Sequence, residues 1–242
     1  MPDVAERSAS ESPRHAAFVR VTHWLTVFAF FALLVSGLEI VLSHPRFYWG
    51  EVGNLNVTPL FTLPVPVTRN LVPTGYSFRL VDQNGWSRSL HFEAAWAAVL
   101  TGIVYARAAL RSGHFRSSLL PTRSQLTWSA VRGVIASHLR LAPPDASDAH
   151  SYNVLQRVAY LSVIVILFPL MLWSGLALSP GFAAAAPLTV EALGGRQSAR
   201  TIHFLVTGSL VLFLGVHVAM VAISGFRNRM RAMITGLPQE PA

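Results

Sequence analysis

The segment ARTIHFLVTGSLVLFLGVHVAMVAIS, Ala199 to Ser224, carries two histidines and, from Phe204 to Val216, no charged residue. A helix of this length, rising about 1.5 Å per residue, can cross the roughly 30 Å apolar layer of a bilayer. His203 and His217 are separated by fourteen positions, a rotation of about 1400°, nearly four full turns, and a climb of about 21 Å. The two imidazoles therefore share one face at different depths. Histidines inside an apolar span need partners, and the other spans are where such partners would lie.

The chain has 242 residues, 52% of them hydrophobic and 12% charged, with a mean hydropathy of +0.45. That is the composition of an integral membrane protein, and the length suits one helical bundle with modest loops. There is no cysteine. This excludes covalent CxxCH haem attachment, thiolate iron–sulfur clusters and Cys-ligated zinc, and leaves imidazole as the expected metal ligand. All 19 basic residues are arginine, scattered at the ends of apolar runs. Such placement serves membrane topology rather than nucleic-acid binding. The first apolar run is longer than a signal-peptide core and lacks a small-residue cleavage site, so an uncleaved first span is expected.

The expected fold is an all-α, integral membrane four-helix bundle. Its spans lie at about 18–42, 87–110, 153–178 and 199–226, within a membrane domain of residues 16–236, between a flexible head (1–15) and a tail (237–242). Residues 43–86 form a long structured loop, because Pro59, Pro64, Pro66 and Pro73 break any helix there. Residues 111–152 form the second connection, where an apolar stripe over 126–139 suggests a short interfacial helix. Pro169 should kink the third span. The head, second connection and tail, with the flanking span ends, hold 13 arginines and the other two connections six. The positive-inside rule then puts both termini in the cytoplasm and the 43–86 loop outside.

With this topology the histidines sort by depth. His23 and His217 pair on the cytoplasmic side, and His91 and His203 on the outer side. Each pair is read as the two axial ligands of one haem b, giving two haems. His15, His44, His114, His138 and His150 are read as solvated. Arg20, Arg88 and Arg200 each precede a proposed ligand by three residues, in RVTH, RSLH and RTIH. One helical turn nearer the interface, each is placed to meet a haem propionate. Gly37 and Gly102 lie fourteen and eleven residues beyond His23 and His91. Both return to the ligand face at the depth of the other haem, where the missing side chain would make room for porphyrin.

The His23-Trp24 pair, His91, the YNVLQR segment and the GGRQSARTIHF…GVHVAM stretch resemble the bacterial cytochrome b561 family, which includes the nickel-hydrogenase and formate-dehydrogenase cytochrome b subunits. The likeness covers about Ala16 to Gly236 and looks closest to the thiosulfate-reductase-type branch that accompanies molybdopterin oxidoreductases. The resemblance implies the same four ligands and a quinone pocket by the cytoplasmic haem, where Asn153 could hydrogen-bond a quinone carbonyl. Imidazole in both axial positions leaves no site for substrate on the iron, which favours electron transfer. The expected function is a di-haem subunit passing electrons between membrane quinone and an extracytoplasmic, molybdopterin-type oxidoreductase, itself not the catalytic subunit. Phe47, Tyr48, Trp49 and Trp86 of the long loop are the expected docking surface. The alternative is a stand-alone superoxide:quinone oxidoreductase, with Arg88, Arg196 and Arg200 attracting the anion.

Overall fold

The computed structural model describes residues 15–54, 56–64, 85–113 and 154–237, with the single positions 120 and 132. Asn153 and most of 114–153, including nearly all of the 126–139 stripe, lie outside the described residues, as do 65–84. In chain order the elements are α1 (Ala17–Ser43), β1 (Arg46–Phe47), β2 (Phe61–Thr62), α2 (Trp86–Arg111) and α3 (Val154–Leu161). A π-helical stretch (Ser162–Leu167) follows, then α4 (Phe168–Leu178), α5 (Pro180–Ala185), α6 (Pro187–Glu191), α7 (Arg196–Ile223) and α8 (Phe226–Thr235).

Four helices are long and apolar enough to cross a membrane: Ala17–Leu42, Trp86–Arg111, Arg157–Leu178 and Arg196–Ile223. Their packing is inverted relative to a soluble protein. On α1 the exposed side chains Val21, Leu25, Phe28, Phe31, Val35 and Leu38 recur at three- and four-residue spacing, while Thr22, Ala29 and Ser36 are buried. Large apolar groups thus face outward and small residues mediate close helix approach, as lipid requires.

The third span is regular except before Pro169. Proline has no N–H and its ring crowds the carbonyl four residues back, so a wider π turn over Ser162–Leu167 absorbs the misfit. The connection to the fourth span is more ordered than a simple loop. Pro180 and Pro187 each open a short helix, a position where the missing N–H costs nothing. The fourth span also ends earlier than expected. Gly225, with φ of +92°, stops it after Ile223, and the arginine-bearing tail forms the separate α8. His217 now lies six residues from the end of its helix, just as His23 lies six from the start of α1.

The residues cluster into two compact units. The first comprises Met1–Leu25, Thr101–Val163 and Leu212–Ala242; the second comprises Thr26–Leu100 and Ile164–Val211. In the first unit α8 is fastened to α1. Arg20 Nη1 donates to the Ile234 carbonyl (2.9 Å) and Trp24 Nε1 to that of Met233 (3.3 Å). In the second unit Ala177, Val190, Leu193 and Ala199 form a small apolar core joining α4, α6 and the start of α7.

The second unit also fixes the chain after α1 onto the first turns of α7. The β1–β2 ladder, Arg46 opposite Thr62 and Phe47 opposite Phe61, presents Phe47 to Phe61 and Phe204 at ring-centroid distances of 4.7 and 4.4 Å. Gln197 and Ser198 N–H donate to the Gly50 carbonyl (3.0 and 3.2 Å), and Arg196 N–H to Glu51 Oε2 (2.8 Å). These bonds satisfy amides that a helix start leaves open, and the carboxylate suits the positive end of the helix dipole. Ser198 Oγ accepts from Gly50 N–H (2.7 Å), and Thr201 Oγ1 donates to the Tyr48 carbonyl (2.6 Å). Gly195, at φ of +104°, is needed here. A Cβ on it would lie 2.7 Å from the Gly50 backbone.

Candidate functional site

Each unit contains one pair of facing histidines. His23 on α1 and His217 on α7 have ring centroids 6.3 Å apart, with planes at 50°. His91 on α2 and His203 on α7 are 6.2 Å apart at 64°. Imidazoles bound on opposite sides of one metal ion at about 2 Å each, with ring centres roughly 1 Å behind the nitrogens, place their centroids about 6 Å apart. Both spacings fit a shared metal. Among the described residues no group of three or more His, Cys, Asp or Glu is gathered to hold an ion. Two facing imidazoles suit a metal whose remaining ligands come from a macrocycle, as iron does in haem.

The surroundings of the pairs differ. The His91 Nδ1 lies 3.0 Å from Ser36 Oγ, and His203 Nδ1 lies 3.1 Å from Ser174 Oγ. Beside each serine is a glycine. A Cβ on Gly37 would fall 3.3 Å from His91 Cε1, and one on Gly175 would fall 3.2 Å from His203 Cε1. Gly37 is thus found against a histidine ring of the second unit, and Gly102 is half-buried on α2 in the first. In the first unit the contacts are aromatic. Trp24 meets His23 edge-on at 5.4 Å, Phe213 stacks on His217 at 5.9 Å, and Tyr160 approaches His217 at 6.4 Å. Among the described residues His23 Nδ1 is buried with no hydrogen-bond partner.

Ser36, Ser174 and Gly175 escape a reading centred on charges and histidines. Their signal is the tripeptide Ser-Gly-Leu, present at 36–38 and again at 174–176. The second copy lies on the third span, which carries no histidine and so attracts no attention as a ligand helix.

The three arginines are placed unequally. Arg88 is exposed, one turn before His91. Arg20 is engaged with α8, while its Nε is buried with no hydrogen-bond partner among the described residues. Arg200 donates to the carbonyls of Arg46 (3.0 Å) and His44, and its guanidinium lies 4.9 Å over the Phe47 ring. It therefore ties the loop to α7. Arg200 also lines a small cavity with His44, Arg46, Tyr48, Gly53 and Gln197. Within this wall Tyr48 Oη and Gln197 Oε1 are buried without hydrogen-bond partners among the described residues. His44 is half-buried rather than fully solvated. Burial, followed by the charges of Arg200 and Arg88, holds its imidazole below the usual histidine range.

The expected docking surface needs correction. Phe47 and Tyr48 are each only 1% exposed, because the ladder and the first turns of α7 enclose them. Of the four aromatics only Trp49 and Trp86 reach the surface.

Four apolar helices with two facing imidazole pairs are the architecture of a membrane cytochrome. The chain belongs to the prokaryotic cytochrome b561 family, whose sequence profile matches residues 14–236. That membership implies haem b and electron transport within a prokaryotic membrane. The chain is also similar to an Azospira oryzae protein whose name describes it as a protein-methionine-sulfoxide reductase subunit, YedZ1. The two are 31% identical over 229 residues, covering 92% of this chain and 96% of the relative. No solved structure matches the chain.

Proposed function

We propose that the chain is a di-haem b subunit that carries electrons between membrane quinone and a molybdopterin oxidoreductase on the extracytoplasmic side of a bacterial inner membrane. The observation that carries this reading is the pair of imidazole pairs, each at the centroid spacing that one shared metal would impose. His23 and His217 would hold one haem, and His91 and His203 the other. Haem, when bound, would supply a one-electron iron couple, and these four imidazoles would hold it. This chain's own residues orient the rings and keep water from them. Arg20, Arg88 and Arg200 are proposed to meet propionates, with Arg46 beside Arg200. Gly37 and Gly102 are proposed to admit the porphyrin edge.

The uneven arginine distribution supports cytoplasmic termini, which puts the His91–His203 pair and the loop around Trp49 and Trp86 outside. A soluble partner would dock there. The similar protein's name, a subunit of a reductase acting on methionine sulfoxide, supports a partner enzyme that receives electrons rather than chemistry within this chain. The thiosulfate-reductase-type resemblance points the same way, to an enzyme acting on oxidised sulfur. The quinone pocket is proposed beside His23 and His217, with Asn153 as a hydrogen-bond donor to quinone.

A second reading has one observation in its favour: Arg46 and Arg200 line a cavity in the same unit as the His91–His203 pair. This is where a superoxide:quinone oxidoreductase would collect its anion. Two measurements on the purified chain separate the readings. A pyridine haemochrome count of two haems per chain, with no reduction of haem by superoxide alone, supports the subunit. Superoxide-driven haem reduction supports the stand-alone enzyme, and a colourless chain overturns both.

A further inference from the structure

We propose that Ser36 and Ser174 are positioning residues that fix the proton of His91 and His203 on Nδ1, aim both Nε2 lone pairs at one metal, and lower the potential of the haem held there. The proposal rests on the haem reading above. It begins with the direction of the hydrogen bonds. Ser36 Oγ lies 2.6 Å from the Ala32 carbonyl and 3.2 Å from that of Leu33. Carbonyl oxygens only accept, so the single hydroxyl proton is committed to the backbone of α1. The contact with His91 then runs the other way, with Nδ1–H donating to Ser36 Oγ, the tautomer that the Leu33 carbonyl beside the same ring also favours. Ser174 repeats this on α4. Its Oγ lies 2.7 and 3.1 Å from the Leu170 and Met171 carbonyls and accepts from His203 Nδ1.

Both serines are fully buried, at 0% exposure, so no water competes for the bond. With Nδ1 protonated, Nε2 is the nitrogen left with a lone pair on each ring. The neighbouring glycines set the ring position. Gly37 and Gly175 let Cε1, the carbon between the two nitrogens, lie against the helix backbone where a Cβ would sit 3.3 or 3.2 Å away. One Ser-Gly pair from α1 and one from α4 thus grip the two rings from separate helices. An acceptor on the far nitrogen makes an imidazole a stronger donor to its metal. A stronger donor favours ferric over ferrous iron, which lowers the potential. The His23 ring has no such acceptor among the described residues.

The test is a spectroelectrochemical titration of the full-length holoprotein, with the couple belonging to His91 and His203 identified by its loss in His203→Ala. In the Ser36→Ala, Ser174→Ala double variant, that couple rises while the other stays in place and two haems are retained. At fixed ambient potential its reduced-to-oxidised ratio increases roughly tenfold, equivalent to about 59 mV for a one-electron couple. Ser174→Thr, which keeps the hydroxyl, holds the wild-type potential. Should the double variant lose haem, Ser174→Ala against Ser174→Thr gives the same comparison. An unmoved couple, equal movement of both couples, or a shift in Ser174→Thr as large as in Ser174→Ala overturns the proposal. Failure of the haem reading itself looks different: His203→Ala would leave two haems in place.

Discussion

The two histidine pairs have nearly the same centroid spacing, 6.2 and 6.3 Å, but different supports. His91 and His203 rest on buried hydroxyls and glycines, in a unit where loop backbone is hydrogen-bonded to the first turns of α7. His23 and His217 rest among Trp24, Tyr160 and Phe213, in a unit where two side chains of α1 tie down α8. Hydrogen bonds fix which nitrogen is free and how strongly it donates. Ring contacts fix position and exclude water but leave the tautomer to other influences. The same ligand type can therefore be placed equally well while being tuned differently.

The comparison breaks most visibly if either pair is dismantled. His203→Ala should lower the haem count from two per chain to one, leaving the couple of the His23–His217 pair, and His217→Ala should do the converse. Haemochrome assay with redox titration reads both. Gly195→Ala should act on the His91–His203 side alone. It forces a side chain at φ of +104° into the Gly50 backbone 2.7 Å away, a strain of about 1–3 kcal/mol. On heating in detergent, the spectrum of that haem should be lost first, whereas simultaneous loss of both would mean that the units are not separately supported.

Trp24→Phe sharpens the other side. It keeps a ring against His23 but removes the bond to the Met233 carbonyl, about 0.5–1.5 kcal/mol. The α8 segment should become more sensitive to protease with both haems retained; unchanged cleavage would assign the anchoring to Arg20. The smallest effect concerns pH. His44 has its proton affinity lowered by burial and by Arg200 and Arg88, so the folded loop disfavours its charged form. That contribution is fully present above the unfolded value of about 6.5 and is lost as pH falls through and below it. Trp49 fluorescence should therefore report loosening on mild acidification, and His44→Gln should flatten this response.

Much of the molecule was legible in the amino-acid order. Span positions follow from apolar runs: the first two match the observed helices within about two residues, the usual tolerance of helix ends, and the third matches at its Leu178 end. The fourth does not, because Gly225 breaks a run that remains apolar through Phe226, and a positive φ is not visible in hydropathy. The pairing of His23 with His217 and of His91 with His203 also follows from depth, since helices fix height along their axes. What reaches sideways was not readable. Phe47 and Tyr48 look like exposed loop aromatics until β1–β2 and α7 close over them, and the bonds of Arg200 to two loop carbonyls join segments far apart in sequence.

The sequence by itself determined that this chain is a four-span membrane protein with four histidines at set heights on three helices, because rise and rotation per residue are local properties. Only the tertiary structure decided what each imidazole meets. Ser36 and Ser174 become acceptors through contacts between helices distant in sequence. Whether a small buried residue is filler or a partner depends on which ring faces it, and that is fixed only when the helices pack.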